Sequence, residues 1–213
     1  EIIELLKEKN SNFDAATIYE INYLLNLGVD PSKISYGNTI KKSEHIKEAY
    51  SKGIRIYATD SISDVEKLGK YAPGSKIFFR LLIENSGADW PLSRKFGCHT
   101  DTALNLIIKA KKMGLIPYGI SFHVGSQQRD IGQWDSAIGK SKYLFNLAKE
   151  QGIELKMLNL GGGFPANYLT PTKNVIEYCN AIKNYLKIHF DNEIPEIFIE
   201  PGRSIVADSG VIV

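Results

Sequence analysis

The strongest constraint in this sequence is the regular exchange of short β-rich runs with longer helical patterns. The β-rich runs fall at 12–15, 34–37, 54–59, 77–82, 118–124, 155–160 and 196–200. Helical spacing of apolar residues fills the intervals. Ile18, Ile21, Leu24 and Leu25 share one side of 17–27, and Leu104, Ile107 and Ile108 do so within 102–113. Longer helical stretches cover 136–151 and 174–190. Gly28, Gly53, Gly114 and Gly152 stand where helices should stop, as glycines just past a C-cap do. Ser61 and Thr100 stand where helices should start, Ser61 with Asp64 in the capping-box position.

Strands separated by helices of this length pair in parallel through right-handed crossovers. Ile77-Phe78-Phe79 is apolar on both faces, as a strand covered on both sides must be. Two α/β architectures satisfy the pattern, a (β/α)8 TIM-like barrel and an open doubly wound sheet. Seven runs are one short of a barrel, and the chain opens on a helical stretch at 1–9 with no strand ahead of it. One absent leading strand accounts for both. The chain also stops inside an apolar run at 209–213. The expectation is therefore a piece of a longer protein: an incomplete barrel over 1–203, with 204–213 beginning the connection to a further domain. A native seven-stranded open sheet is the alternative.

Composition narrows the class. Hydrophobic residues make up 43% of the chain, enough for a sizeable core. The net charge of +2 comes from charges of both signs spread along the chain, with no basic stripe for nucleic acid. No apolar run is long enough to span a membrane, and acids interrupt the first apolar stretch, unlike a signal peptide. Cys98 and Cys179 lack metal or redox spacing, which favours free thiols in a reducing, cytoplasmic compartment. No pair among His45, His99, His123 and His189 has metal-ligand spacing, so no metal is expected.

In a parallel barrel, sites form at the C-terminal ends of the strands. Six such ends carry candidate residues. Gly161-Gly162-Gly163 ends one run; glycines there let backbone approach an anion closely, although a tight turn explains them equally. Glu200-Pro201-Gly202-Arg203 ends the last run. Glu200 could meet a protonated ring nitrogen and Arg203 a phosphate, or the two could form a rim ion pair. His123, in Ser121-Phe122-His123-Val124-Gly125-Ser126, reads as a core histidine or as a ring over a ligand, with Ser126 a phosphate donor. Asp14 and Thr17 sit before a helix carrying Glu20, and helix capping explains them as well as a site does. Arg80 ends an otherwise apolar run and needs acidic or phosphate partners. Asn38 reads as a turn residue. Together these residues suit a flat, cationic, phosphorylated ring.

The runs Ser-Phe-His-Val-Gly-Ser at 121–126, Gly-Gly-Gly-Phe-Pro at 161–165 and Glu-Pro-Gly-Arg at 200–203 resemble the fold-type III pyridoxal-phosphate (PLP) decarboxylases. Phe-Asp-Ala-Ala-Thr at 13–17 and Lys-Phe-Gly at 95–97 match in order and spacing. The resemblance covers essentially the whole chain. His-Val-Gly-Ser is more like ornithine decarboxylases than diaminopimelate decarboxylases, and 90–97 is similar to bacterial lysine/ornithine enzymes. The resemblance implies PLP as cofactor, decarboxylation of a basic amino acid, ornithine or lysine, in polyamine biosynthesis, and a homodimer. It implies that His123 stacks on the pyridine ring and Glu200 pairs with its nitrogen. Ser126, Gly161, Gly162, Gly163, Pro201, Gly202 and Arg203 would bind the cofactor, most of them through its phosphate. Asp14, Glu20 and Arg80 would line the region of the lysine linkage, and Lys95 would belong to a loop over the substrate.

Two parts of the family pattern do not occur in these residues. The Schiff-base lysine, in an Ala-x-Lys-Ala/Cys-Asn context on the first barrel strand, is not found. Neither is the C-terminal β domain with its catalytic cysteine and substrate-binding aspartates. The chain is thus expected to hold part of a PLP site without turning over. Rival readings are a non-catalytic PLP-binding barrel, a regulatory decarboxylase homologue, and a phosphosugar enzyme on the same barrel.

Overall fold

The computed structural model describes the chain except for residues 85, 91–94, 169, 208 and 211–213. The expected loop over the substrate lies partly in 91–94, outside the described residues. Seven strands form one parallel sheet: β1 (Phe13–Ala15), β2 (Ile34–Tyr36), β3 (Ile56–Thr59), β4 (Lys76–Arg80), β6 (Ile116–Ser121), β8 (Met157–Asn159) and β9 (Glu196–Phe198), ordered β1-β2-β3-β4-β6-β8-β9. Their order in the sheet follows their order in the chain, as in a barrel and unlike a doubly wound sheet. Two further strands, β5 (Ala88–Trp90) and β7 (Ser126–Gln128), pair antiparallel in an excursion above the sheet. Each is only three residues long, too short for a strand period to stand out, and no strand is expected there from the sequence.

The helices that return the chain are α2 (Ile18–Asn26), α3 (Ser43–Ser51), α4 (Ile62–Tyr71), α5 (Thr100–Lys112), α6 (Gly132–Glu150) and α7 (Val175–Phe190), with α1 (Ile2–Glu8) and the short α8 (Arg203–Val206) at the two ends of the described chain. Thr17 caps α2 in a capping box with Glu20, and Asn174 caps α7 with Glu177. The four glycines expected after helices all have left-handed φ: 72° at Gly28, 94° at Gly53, 76° at Gly114 and 67° at Gly152. Ser61 stands at the N-cap of α4 as expected but makes no side-chain cap bond, and Asp64 pairs with Lys41 rather than completing a capping box; Thr100 lies inside α5, with His99 at the cap.

The sheet curls, and the pleat then sorts the side chains. Successive residues of a strand face opposite sides. Ile77 and Phe79 of β4 join the large core between sheet and helices, whereas Phe78 joins a small inner cluster with Ala58, Tyr118 and Met157. Ile56 and Phe198 pack on that inner cluster. A residue two beyond an inner-cluster residue should return to the inner face. That places Arg80 (after Phe78), Asn159 (after Met157) and Glu200 (after Phe198) at the mouth. At the opposite end Tyr118 donates to Glu196, and the Lys76 ammonium lies 4.4 Å from the Tyr118 ring centre.

Among the described residues, β1 and β9 each pair on one side only. Both line the same cavity of about 540 Å³, with Phe13 and Asp14 on one wall and Glu196, Ile197 and Phe198 on the other. The sheet is thus a partial barrel whose first and last strands face each other across an opening. No described helix is long and apolar enough to cross a membrane.

Candidate functional site at the barrel mouth

The strand ends bring Asp14, Arg80, His123, the glycine run and Glu200 into one neighbourhood. Glu200 is oriented by Asn159, whose Nδ2 donates to Glu200 Oε1 at 2.6 Å and whose Oδ1 accepts from Gly161 N at 2.9 Å. One side chain thereby ties the acid to the glycine run. Burial pushes the Glu200 carboxyl up, against the opposing pull of Asn159 and Arg80. Asp14 is pushed well above the usual carboxylate range by the surrounding protein and by the Glu200 carboxylate, while Ser35 and Arg80 act the other way. Asp14 retains exposed surface along the opening, so water screens part of this effect. Its carboxylate accepts from Ser35 Oγ and fills the space that a β-carbon on Gly37 would occupy. Asp14 is therefore not a helix cap; Thr17 and Glu20 do that work at the surface.

Arg80 is the positive centre of this set. Burial lowers its guanidinium pKa, while Glu200, Asp60 and Asp14, in that order, favour its charge. Phe96 covers it, with the ring centre 4.9 Å from the guanidinium carbon, and the Lys95 ammonium lies 5.0 Å from the same ring centre. Lys95 itself is exposed. Asp60, which carries no signal in the sequence beyond its place after β3, anchors this turn by accepting from Gly97 N at 2.9 Å. Asn38 is the turn residue expected, accepting from Ile40 N at 3.0 Å.

His123 leaves the end of β6, and its Nδ1 accepts from Gly125 N at 3.0 Å. Burial, with Arg80 nearby, pulls its pKa down to about 4. The ring is neutral at pH 7, which suits a face laid against a cationic ring. A depressed histidine pKa gives stability that is present above the unfolded value of about 6.5 and is lost as pH falls through the folded value. Wild type should lose up to about 3 kcal/mol from this group between pH 7 and pH 4. Urea titrations across that range should show the slope flattened in His123→Asn; an unchanged slope would refute the assignment.

The three glycines hold the strand ends together by close approach. A β-carbon on Gly162 would lie 2.6 Å from Glu200 O and 3.3 Å from His123 Nε2, and one on Gly163 would lie 2.5 Å from Gly125 O. Among the described residues, no acceptor takes the N–H of Gly162 or Gly163. Gly202 differs: its φ is −72° and nothing lies within 4 Å of its built β-carbon. Arg203 reaches back so that Nε donates to Ser126 Oγ at 3.1 Å and a terminal nitrogen to Tyr168 Oη at 2.9 Å. Trp90 packs on its guanidinium at 4.9 Å. The Glu200–Arg203 rim ion pair considered from sequence is absent among the described residues. Glu200 turns inward, Pro201 lines the cavity, and Arg203 turns toward Ser126.

Residues 1–207 match the family model described as "Pyridoxal-dependent decarboxylase, pyridoxal binding domain". The chain is similar to ornithine decarboxylase of Candida albicans, 34% identical over 218 residues, covering 100% of this chain and 46% of that protein. Antizyme inhibitor 2 of Xenopus laevis is 30% identical over 209 residues, covering 98% and 46%. The crystal structure of lysine decarboxylase from Selenomonas ruminantium superposes with a TM-score of 0.88 at 33% identity, covering 96% of this chain and 53% of that one. The chain thus spans about half the length of these relatives. The parallel half-barrel, the residues gathered at its mouth and these matches agree, and the chain belongs to the pyridoxal-dependent decarboxylase family as its pyridoxal binding domain.

Proposed function

We propose that this chain is the PLP-binding part of an enzyme that decarboxylates a basic amino acid, L-ornithine or lysine, in polyamine biosynthesis, with the full-length protein acting as a cytoplasmic homodimer. The observation that carries the reading is the division of labour within one tetrapeptide. Glu200 faces the cavity beside Asn159 and Arg80, while Arg203 meets Ser126 beside the glycine run. An acid and an anion cradle so close together match the two ends of a phosphorylated pyridine.

The residues fit PLP on two counts. Gly202 needs no glycine for its backbone or its packing, and the space a β-carbon would take is free for a ligand. The N–H groups of Gly162 and Gly163, Ser126 Oγ and Arg203 form a donor set for phosphate. Glu200, held by Asn159, would pair with the ring nitrogen, and that cationic partner would offset the cost of its burial. His123, neutral, would lie on the ring without charge repulsion. Arg80 and Asp14 would sit at the reacting edge, with Lys95 above the substrate. When bound, PLP supplies an electron sink for the pair left behind as carbon dioxide departs. The protein's share is to keep Glu200 ionised, hold the phosphate and exclude water.

Titration of the chain with PLP, followed by calorimetry, tests the site. Gly202→Ala should leave the melting temperature unchanged and weaken PLP binding roughly tenfold, about 1.4 kcal/mol. Equal affinities, or no PLP binding by wild type, would sink the reading. Carbon dioxide release from ornithine or lysine by the full-length protein tests the activity. A second reading, a non-catalytic regulatory homologue, is favoured by the likeness to antizyme inhibitor 2 and predicts PLP-independent behaviour with no carbon dioxide release.

A further inference from the structure

Gln127 and Gln128 are both fully buried, and Gln127 has a φ of 55°, one of only a few left-handed non-glycine residues among those described. A non-glycine residue in this region is strained and persists only where its surroundings over-determine it. The surroundings here are specific. Gln127 Nε2 donates to Ala166 O at 2.7 Å and Gln127 Oε1 accepts from Ala166 N at 3.0 Å. One side-chain amide therefore takes both polar groups of one peptide residue, as a neighbouring strand would.

The next residue extends the fastening. Gln128 N donates to Gly163 O at 2.9 Å, its Nε2 donates to Val124 O at 2.7 Å and to Ser86 O at 3.1 Å, and its Oε1 accepts from Asp130 N at 3.0 Å. Tyr178 Oη donates to Gln128 O at 2.9 Å, and Tyr178 itself stacks with Trp134 and Phe164. The glycine run and β7 are thus bound along two lines, Gln128 to Gly163 and Gln127 to Ala166. Ser126, the residue before Gln127, is left facing Arg203.

We propose that Gln127 is a positioning residue for the phosphate cradle: its bidentate clamp on Ala166 fixes the glycine run relative to Ser126 and Arg203. This rests on reading the mouth as a PLP site. The clamp should matter more for the phosphate than for the pyridine ring, because Asn159 holds Glu200 and Gly125 N holds His123 without the Gln127 amide.

Gln127→Gly removes the clamp and also relieves the left-handed φ, so it should stay folded. Amide hydrogen exchange in the ligand-free chain should rise about tenfold at Ala166, whose N–H the clamp holds, and rise also at Gln128, whose N–H meets Gly163 O, as expected for one lost hydrogen bond and a loosened neighbour. Affinities for PLP and for pyridoxal, which lacks the phosphate, should be measured together. The preference for PLP over pyridoxal should fall roughly tenfold, with pyridoxal binding changed much less than PLP binding. A merely structural role would weaken both ligands alike. Should glycine lower the melting temperature, Gln127→Glu decides the matter: it keeps the length but sets an oxygen against Ala166 O, and must also reduce the preference. Unaltered preference in both variants, in a wild type that does prefer PLP, overturns the positioning role and leaves the PLP site standing. A wild type without such preference overturns the site and this role with it.

Discussion

Gly161→Ala is expected to destabilise the chain by about 2–6 kcal/mol, the sum of a left-handed conformation and an overpacked contact. The φ at Gly161 is 64°, which costs any L side chain. The added β-carbon would also press directly on Phe122 O, with the His123 α-carbon 3.2 Å away. Both obstacles are backbone in the strand-end turn that carries His123, so neither can swing aside. The change should appear as a lower urea midpoint with an unchanged slope. Gly202→Ala is the internal control, since its φ is negative and its surroundings open. If the two alanine variants prove equally stable, the close approach of the strand ends is not what the glycine run provides.

Lys41→Met should cost about 3–5 kcal/mol, as expected when one partner of a buried ion pair is removed. Lys41 is 3% exposed and Asp64 1% exposed. The ammonium donates to Asp64 Oδ2 at 2.7 Å, Ala58 O at 2.6 Å and Asn38 O at 2.8 Å. Burial pulls the Lys41 pKa down, and Asp64 opposes that pull. Without the ammonium, Asp64 would keep only Lys67, at 3.1 Å and partly exposed. Because a buried pair replaced by well-packed apolar residues is often neutral, Lys41→Met combined with Asp64→Leu should recover most of the loss. A double variant no more stable than Lys41→Met would show that the pair does more than satisfy its own charges. The same network ties the turn after β2 to β3 and α4, just beyond the Gly37 that makes room for Asp14.

Much of this architecture is legible along the chain. The β-rich runs at 77–82 and 155–160 become β4 and β8 within a few residues, because parallel strands covered on both faces need continuous apolar side chains. The run at 118–124 is read too far: the sheet takes Ile116–Ser121, and Phe122 to Val124 leave it to bring His123 to the mouth. Arg80 and Glu200 stand out as charges two residues beyond inner-face aromatics. Asn159 stands in the same parity after Met157, and that was the signal by which its hold on Glu200 could have been found. The pair β5 and β7 is not legible, since it depends on residues far apart and on a glutamine in an unusual conformation.

The sequence by itself determined the α/β class, the succession of strands and helices along the chain and the chemical types at the strand ends. Those follow from hydrophobic period and pleat parity, which are local. Only the tertiary structure decided what those ends do to one another. The curl of the sheet brings Asp14 of the first strand to Glu200 after the last; burial raises both carboxyls, and the Glu200 charge raises Asp14 further. It turns Arg203 away from Glu200 toward Ser126 and lets Gln127 clasp Ala166. Interactions between residues 39 to 186 positions apart leave no trace in local pattern, because what selects them is distance through space, set by the closing of the sheet.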